Sequence, residues 1–436
     1  MKILIYGLNY SPELTGIGKY TGEMAAWLAA RGHEVRVITA PPYYPAWSIR
    51  EDYRGRPYRT ENSPRAASYD PAAPIVFRTP LYVPAKPTGL KRVAHLASFM
   101  LGSLPVVLRQ LFWQPEIIFT VEPTFFCAPI ALLAAQATGA ASWLHVQDFE
   151  VDAAFDLGLL PAQGPVHALA LALEKLFTCP FTRVSSISSK MLERALTKGI
   201  PPGHTVLFPN WVDIDAVNPQ PNLADNIFRS ELNLPASGDN AKIILLYSGN
   251  MGAKQGLELL APLAAAFAPG GSHADPRVHF LFCGDGAFRP QLETLVAGRP
   301  NVTLLPLQPL ARLNDLLNAA DLVMPSKLTG MLSSGRPVLT IADPGTQVAR
   351  IISGGMPGEP PTHEPCGLSI PADSAAESAL IAATARLVAD ASLRNRLGST
   401  ARDYAVHHLG KEQVLEAFER DLHAALFETS SSPGAA

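Results

Sequence analysis

Two stretches far apart in this 436-residue chain share one grammar, and that grammar leaves few folds open. The first begins with an apolar run over residues 2–8, followed by a polar, glycine-bearing loop at 9–18. Helical periodicity over 20–31 then closes at Gly32, and a second apolar run, EVRVIT, occupies 34–39. The second stretch begins with an apolar run from Ile243 to Tyr247 and the loop SGNMGAKQG at 248–256. A helix starts at Leu257 and another run fills 278–283. Strand, loop, helix and strand make a parallel βαβ unit, which gathers ligands at the carboxyl ends of its strands. Two such openings predict an α/β protein with two parallel-sheet domains and a small-molecule cleft between them. The length agrees, being too great for one ordinary core. Domains are predicted at 1–212 and 241–402. A linker is predicted at 213–240, where periodicity lapses and Asn, Pro and Asp gather. Helices are expected at 380–390 and 412–426, with a disordered tail at 429–436.

Charge and cysteine usage narrow the function. Lys+Arg 35 against Asp+Glu 38 leaves no basic excess, so nucleic acid is not an expected partner. Cys127, Cys179, Cys283 and Cys366 show no C-x-x-C spacing, which argues against a zinc site or disulfide framework and for a reducing cytoplasm. The opening MKILIYG reads as a strand rather than an export signal.

Neither glycine loop is a dinucleotide fingerprint or an ATP P-loop, which disfavours a nicotinamide dehydrogenase. Gly16 and Gly18 lack a Cβ and would let backbone approach a ligand. The loop holding Lys254 has the composition of a phosphate cradle. A third candidate is 325–338, read as loop, short helix and strand. Ser326 would be its N-cap and Lys327 the adjacent cation, together an anion seat. The predicted strand 141–146 runs into His145, Asp148, Glu150 and Asp152, which reads either as chemistry at a strand end or as a solvated, helix-capping loop. Asp213 and Asp215 spell a weak magnesium signal, outweighed by their place in a predicted linker. Residues 40–79 read as a long irregular excursion whose aromatic and arginine residues would suit a sugar or simple loop packing. Residues 93–108 carry no Lys, Arg, Asp or Glu but fall short of the roughly 20 apolar residues of a bilayer span. Either a helix lying in a membrane surface or a buried core helix fits.

Read in order, seven strings carry a family likeness. They are KILIYGLNYSPELTGIGKYTGEMAAWL from Lys2, GHEVRVITAPPYYPAW from Gly32, PLYVPAKPTGLKR from Pro80 and LHVQDFEVDAAFDLGLL from Leu144. FPNWVD from Phe208, YSGNMGAKQGLE from Tyr247 and PSKLTGMLSSGRPV from Pro325 complete the set. Together they resemble a family 4 glycosyltransferase of the GT-B fold across nearly the whole chain. The resemblance implies two Rossmann-like domains facing across a cleft, with a C-terminal helix at 403–428 crossing back to the first. It implies configuration-retaining transfer of a sugar from a nucleotide donor, with fucose from GDP-fucose expected. The acceptor would be a polyprenyl-diphosphate-linked saccharide in exopolysaccharide biosynthesis, in the cytoplasm at the inner membrane, with 93–108 as the membrane contact. No metal or other cofactor is expected.

By position, the resemblance gives Lys254 the donor diphosphate and Gly249 and Asn250 its backbone approach. Gly16 and Gly18 would cover that diphosphate from the first domain. Ser326, Lys327, Leu328 and Gly330 would line the nucleotide. His145 and Asp148 would orient or deprotonate the acceptor hydroxyl. The chain departs from the family twice. Gly330 stands where many members carry a ribose-gripping glutamate, and a strand with its loop is missing ahead of Pro325. A nucleotide-sugar epimerase and an inactive subunit of a saccharide-assembly complex would share the same fold.

Overall fold

The structure, a computed structural model, describes residues 1–13, 16–62, 64, 68–85, 89–122, 125–156, 163–220, 222–252, 255–325, 327–356 and 360–431. Two compact units emerge, one of 1–210 with 414–436 and one of 211–413.

The first unit contains β1 (Lys2–Gly7), α1 (Ile17–Ala30), β2 (Glu34–Thr39), β3 (Arg59–Glu61), β4 (Ile75–Arg78), α2 (Leu90–Leu111) and β5 (Ile117–Glu122). It continues with α3 (Ala128–Thr138), β6 (Ala141–Val146), α4 (Glu150–Asp156), α5 (Pro165–Thr178), β7 (Arg183–Ser186), α6 (Ser189–Thr197) and β8 (Thr205–Leu207). The strand order is β3-β4-β2-β1-β5-β6-β7-β8, parallel except for β3 against β4. Strands this apolar are buried on both faces, as a parallel sheet requires. On one face Leu4, Tyr6, Ile118 and Leu144 pack on Phe99 of α2 and on Ala128 and Ala131 of α3. On the other, Phe119 and Trp143 pack on Phe418, with ring centroids 5.3 Å apart in each case.

The second unit holds α7 (Ile227–Glu231), β9 (Ile243–Asn250), α8 (Leu260–Phe267), β10 (Val278–Asp285), α9 (Arg289–Val296), β11 (Val302–Leu305), α10 (Leu313–Ala319) and β12 (Leu322–Met324). Then come α11 (Leu328–Ser333), β13 (Val338–Ile341), α12 (Gln347–Ser353), β14 (Gly367–Ile370), α13 (Ala376–Ala389) and α14 (Ala391–His408). The last helix, α15 (Lys411–Ser431), begins in this unit, and from Val414 onward it belongs to the first. The order β11-β10-β9-β12-β13-β14 is fully parallel and doubly wound.

Several expectations change. The predicted linker at 213–240 is part of the second unit's body. Phe228 shares a core with Ile244 and Leu246, and Arg229 donates to Ala319 O at 2.8 Å and pairs with Asp321 at 2.6 Å. Its polar composition serves as caps: Asn226 accepts from the N–H groups of Phe228 and Arg229 at the start of α7. The excursion at 40–79 contains β3 and β4, and β4 pairs in parallel with β2. The strand missing ahead of Pro325 is supplied by β12 itself, which pairs with both β9 and β13. Helix α15 reaches Ser431, past the predicted start of a disordered tail, and 432–436 lie outside the described residues. Helix α2 answers neither reading of 93–108 alone. His95, Phe99, Ser103 and Val107 are buried, while Val93, Leu101, Leu104 and Leu108 are exposed.

Candidate active site

In each sheet the strand order reverses beside the first strand, between β1 and β5 and between β9 and β12. Ligands of doubly wound sheets bind outside the carboxyl ends at such points. The residues that follow β1, β5 and β6, and those that follow β9 and β12, are therefore the chemically informative ones.

In the first unit the loop after β1 folds back onto α1 around one buried carboxylate. Glu13 Oε1 accepts from the N–H groups of Tyr43 and Tyr44, each at 3.1 Å, and Oε2 accepts from Asn9 Nδ2 at 3.0 Å. Burial still raises its pKa against these donors and the nearby Arg78. A Cβ on Gly18 would lie 2.7 Å from Glu13 Oε2 and 2.8 Å from its Cβ. The missing side chain of Gly18 is thus occupied by Glu13, which corrects its expected role as a place of ligand approach. Gly16 is different: it is exposed, caps α1 with φ 63°, and has nothing within 4 Å of where a Cβ would stand.

The acidic run after β6 divides by environment. Asp148 is exposed in the turn. Glu150 points its carboxylate inward to accept the Phe125 N–H, and burial lifts its pKa to about 7, against that hydrogen bond and Arg92. Asp152 is committed elsewhere, accepting from Arg194 at 3.0 Å and Lys198 at 2.7 Å. Glu122, at the end of β5, is buried, and its pKa is pushed well up by burial and then by the charges of Glu150 and Glu174. The sequence reading missed Glu13 and Glu122. Their signal was only their place directly after or at the end of a central strand.

His145 is a correction. Its ring stacks on Phe119 at 5.8 Å and tilts on Phe208 at 5.1 Å, on the face covered by α15. Ser185 Oγ accepts from Trp143 Nε1 at 2.8 Å and stands 2.8 Å from His145 Nδ1, so both rings are anchored on one hydroxyl. Burial drives the ring's pKa down to about 3. This is a neutral core histidine, turned away from solvent, and it carries no proton to or from a substrate at physiological pH.

In the second unit the loops after β9 and β10 are laced together. Met251 N donates to Asp285 O and Phe288 N to Met251 O, both at 2.8 Å. A Cβ on Gly284 would stand 1.9 Å from Gly249 O, so that approach requires glycine. Gly252 N is taken by Gln255 Oε1 at 3.2 Å, and the Tyr247 hydroxyl lies 2.6 Å from Asn250 O. The loop is held firm, with Asn250 exposed at its tip. Lys254 lies outside the described residues, as does Ser326. Lys327, exposed, takes the N-cap position of α11 that the sequence reading gave to Ser326. Leu328 packs against the core. A Cβ on Gly330 would meet only Leu317 Cδ1, at 3.7 Å, so a side chain has room there. Strands β9 and β12 are direct parallel neighbours, with Met324 opposite Tyr247, so the residues after each leave the sheet at the same end. Asp213 Oδ1 accepts from Asp215 N at 3.1 Å and Ala216 N at 2.9 Å, closing a turn.

Comparison with known proteins then decides the ancestry. A family described as "Glycosyl transferase 4-like domain" matches residues 15–211. A protein of Escherichia coli K12 called "Putative colanic acid biosynthesis glycosyl transferase WcaI" is 40% identical over 438 residues, covering 97% of this chain and all of the relative. The chain belongs to the family 4 glycosyltransferases. Solved structures agree on the fold. Sucrose-phosphate synthase of Thermosynechococcus elongatus superposes with TM-score 0.69 at 19% identity, over 98% of this chain and 100% of that one. HepE of Anabaena, solved with UDP-glucose, gives 0.64 at 13% identity, over 97% and 100%. WaaG, a glycosyltransferase of lipopolysaccharide biosynthesis, gives 0.63 at 17%, over 97% and 99%. This glycosyltransferase therefore has the GT-B fold of two Rossmann-like parallel-sheet domains.

Two further features of the first unit bear on its substrate. A cavity of about 280 Å³ lies among β3, β4 and α2, walled by Phe77, Pro105 and Val106 and carrying Arg59, Arg78 and Arg109. Helix α5 is built inside out. Glu174 is buried in an ion pair with Lys198 at 2.6 Å, while Val166, Leu169, Leu173 and Leu176 face solvent. Helices α2, α3 and α5 are successive neighbours, and Leu133 of α3 is exposed as well. The outer surface of this helical layer is apolar, with Lys91, Arg92 and Arg109 on α2.

Proposed function

We propose that this glycosyltransferase moves a sugar, fucose from GDP-fucose, onto a polyprenyl-diphosphate-linked saccharide in exopolysaccharide biosynthesis, with retention of configuration and without a metal or other cofactor at the transfer site. The observation that carries this reading is the 40% identity, end to end, to a relative named for colanic acid biosynthesis. HepE, crystallised with UDP-glucose, supports a nucleotide-sugar donor.

The donor belongs to the second unit, its diphosphate lying between the Gly249–Asn250 backbone and the turn carrying Ser326 and Lys327, with Lys254 reaching the same phosphates. As the sugar departs, negative charge grows on the β-phosphate. Fixed N–H dipoles and lysine charge stabilise that charge more in the transition state than in the ground state. Helix α11 has six residues, so its dipole adds little and the lysines carry the electrostatics. Gly16, open and without a side chain, covers the donor from the first unit, and Asp148 orients the acceptor hydroxyl.

A lipid-linked acceptor suits the apolar outer surface of α2, α3 and α5. Exposed leucines on an inside-out helix suit an acyl phase, and Lys91, Arg92 and Arg109 suit anionic headgroups. Among the described residues no helix is long and apolar enough to cross a membrane, and the docking proposed for this surface is peripheral. The arginine-bearing cavity beside α2 suits the anionic headgroup of the acceptor.

The direct test supplies labelled GDP-fucose with and without polyprenyl-linked saccharides. Label in the lipid fraction, dependent on acceptor, is the expected result. Conversion of GDP-fucose to another nucleotide sugar without acceptor would mark an epimerase and reject the proposal. Flotation with anionic liposomes tests docking. The wild type should float at low salt, and Leu169→Glu with Leu173→Glu should remain at the bottom while keeping its unfolding temperature.

A further inference from the structure

His33 lies in the turn between α1 and β2, at the amino end of the first sheet, opposite the strand ends that carry the candidate site. Glu419 and His423 are one helical turn apart on α15 and face it. His33 Nε2 is 2.7 Å from Glu419 Oε1, and the two imidazole centroids are 6.1 Å apart. One donor atom from each of the three residues falls within 4.8 Å of the others, and among the described residues no other three His, Cys, Asp or Glu do so.

We propose that His33, Glu419 and His423 bind a transition metal ion of the zinc class, which ties α15 onto the first unit. Residues at i and i+4 share one helix face, so Glu419 and His423 form a chelating pair. His33, from the far end of the chain, supplies the third ligand. Two imidazole nitrogens and one carboxylate oxygen are a zinc-type donor set, with the fourth position left for water. Metal–ligand distances of roughly 2.0–2.2 Å place tetrahedral ligands a little over 3 Å apart.

The surroundings suit this role. Arg31 Nη2 donates to Glu419 Oε2 at 2.8 Å and its Nε reaches Oε1 at 3.5 Å, which orients the carboxylate. As the ion takes His33 Nε2, the ring's one proton moves to Nδ1, and the Met1 ammonium 3.3 Å away gives a proton to solvent so that its amine can accept from Nδ1. Because the site lies at the amino ends of the strands, its work is mechanical, and it stands whether or not the donor assignment holds. Phe418 and Leu422, fully buried on the same helix, show what the tie would secure.

The test uses the full chain without an affinity tag, stripped with chelator. Calorimetric titration with zinc chloride should give one equivalent, and the unfolding temperature should rise with zinc, fall back with EDTA and ignore magnesium. His423 is exposed, so His423→Ala should keep the fold. It should weaken binding by at least the roughly 10–100-fold that even an outer-shell partner costs. Cobalt substitution should give visible d–d bands without a thiolate charge-transfer band. Zinc binding undiminished in His423→Ala, a thiolate band, or no stoichiometric zinc at all would each overturn the proposal.

Discussion

The two sheets are wound alike around one switch point, yet their carboxyl ends carry opposite chemistry. The first unit buries Glu13, Glu122 and Glu174 and turns Glu150 inward, whereas among the described residues no carboxylate of the second unit is buried. The second offers close-packed glycines, an exposed Asn250 and Lys327. Buried carboxylates hold protons and orient hydroxyl groups, while glycine backbone and lysine receive phosphate. Under the proposed assignment, one topology serves acceptor and donor through loop composition.

Three substitutions probe that division. Lys254→Ala should have the largest effect, lowering kcat by about 10²–10³-fold, the loss usual for one transition-state donor, with an unchanged unfolding curve. Near-normal turnover would remove the electrostatic role of the donor side. Asp148→Asn comes next. Turnover should fall by about 10²-fold while nucleotide binding, followed by thermal shift, stays as in the wild type. A parallel loss of nucleotide affinity would place Asp148 with the donor and blur the contrast.

Glu150→Gln should have the smallest effect, read as stability against pH. The folded carboxyl titrates near 7 and the unfolded one near 4.5. Between those values the folded state binds more protons, so stability falls as pH rises through this window. The glutamine variant still accepts the Phe125 N–H but lacks this loss. It should therefore gain about 3 kcal/mol over the wild type at pH 8 and almost nothing at pH 4. Equal curves would mean that Glu150 is solvated.

Much of this was legible in the chain. The glycine loops and their flanking strands appear where the apolar runs end, and β9 and β12 bring their carboxyl ends side by side. The errors have physical causes. Asn226 and its neighbours look like linker residues because caps and linkers draw on the same amino acids. The IVFR run of β4 is short and flanked by proline and arginine, so its periodicity is weak. His145 reads as catalytic from its place near a strand end. Its fate is set by Phe418, on a helix at the other end of the chain, which closes that face of the sheet. Gly18 looks like ligand space because no spacing rule shows that Glu13 fills it. Long-range packing decides which side of a strand is open, and local pattern does not contain it.

Hydrogen exchange with a saturating nucleotide, chosen from GDP, UDP, dTDP and CMP by thermal shift, tests the division of labour most directly. Protection is predicted at 248–252 and 327–333 of the second unit, with 9–13 and 147–150 of the first changing little. Protection centred on the Glu13 and Asp148 loops, or no stabilisation by any of the four nucleotides, would contradict it.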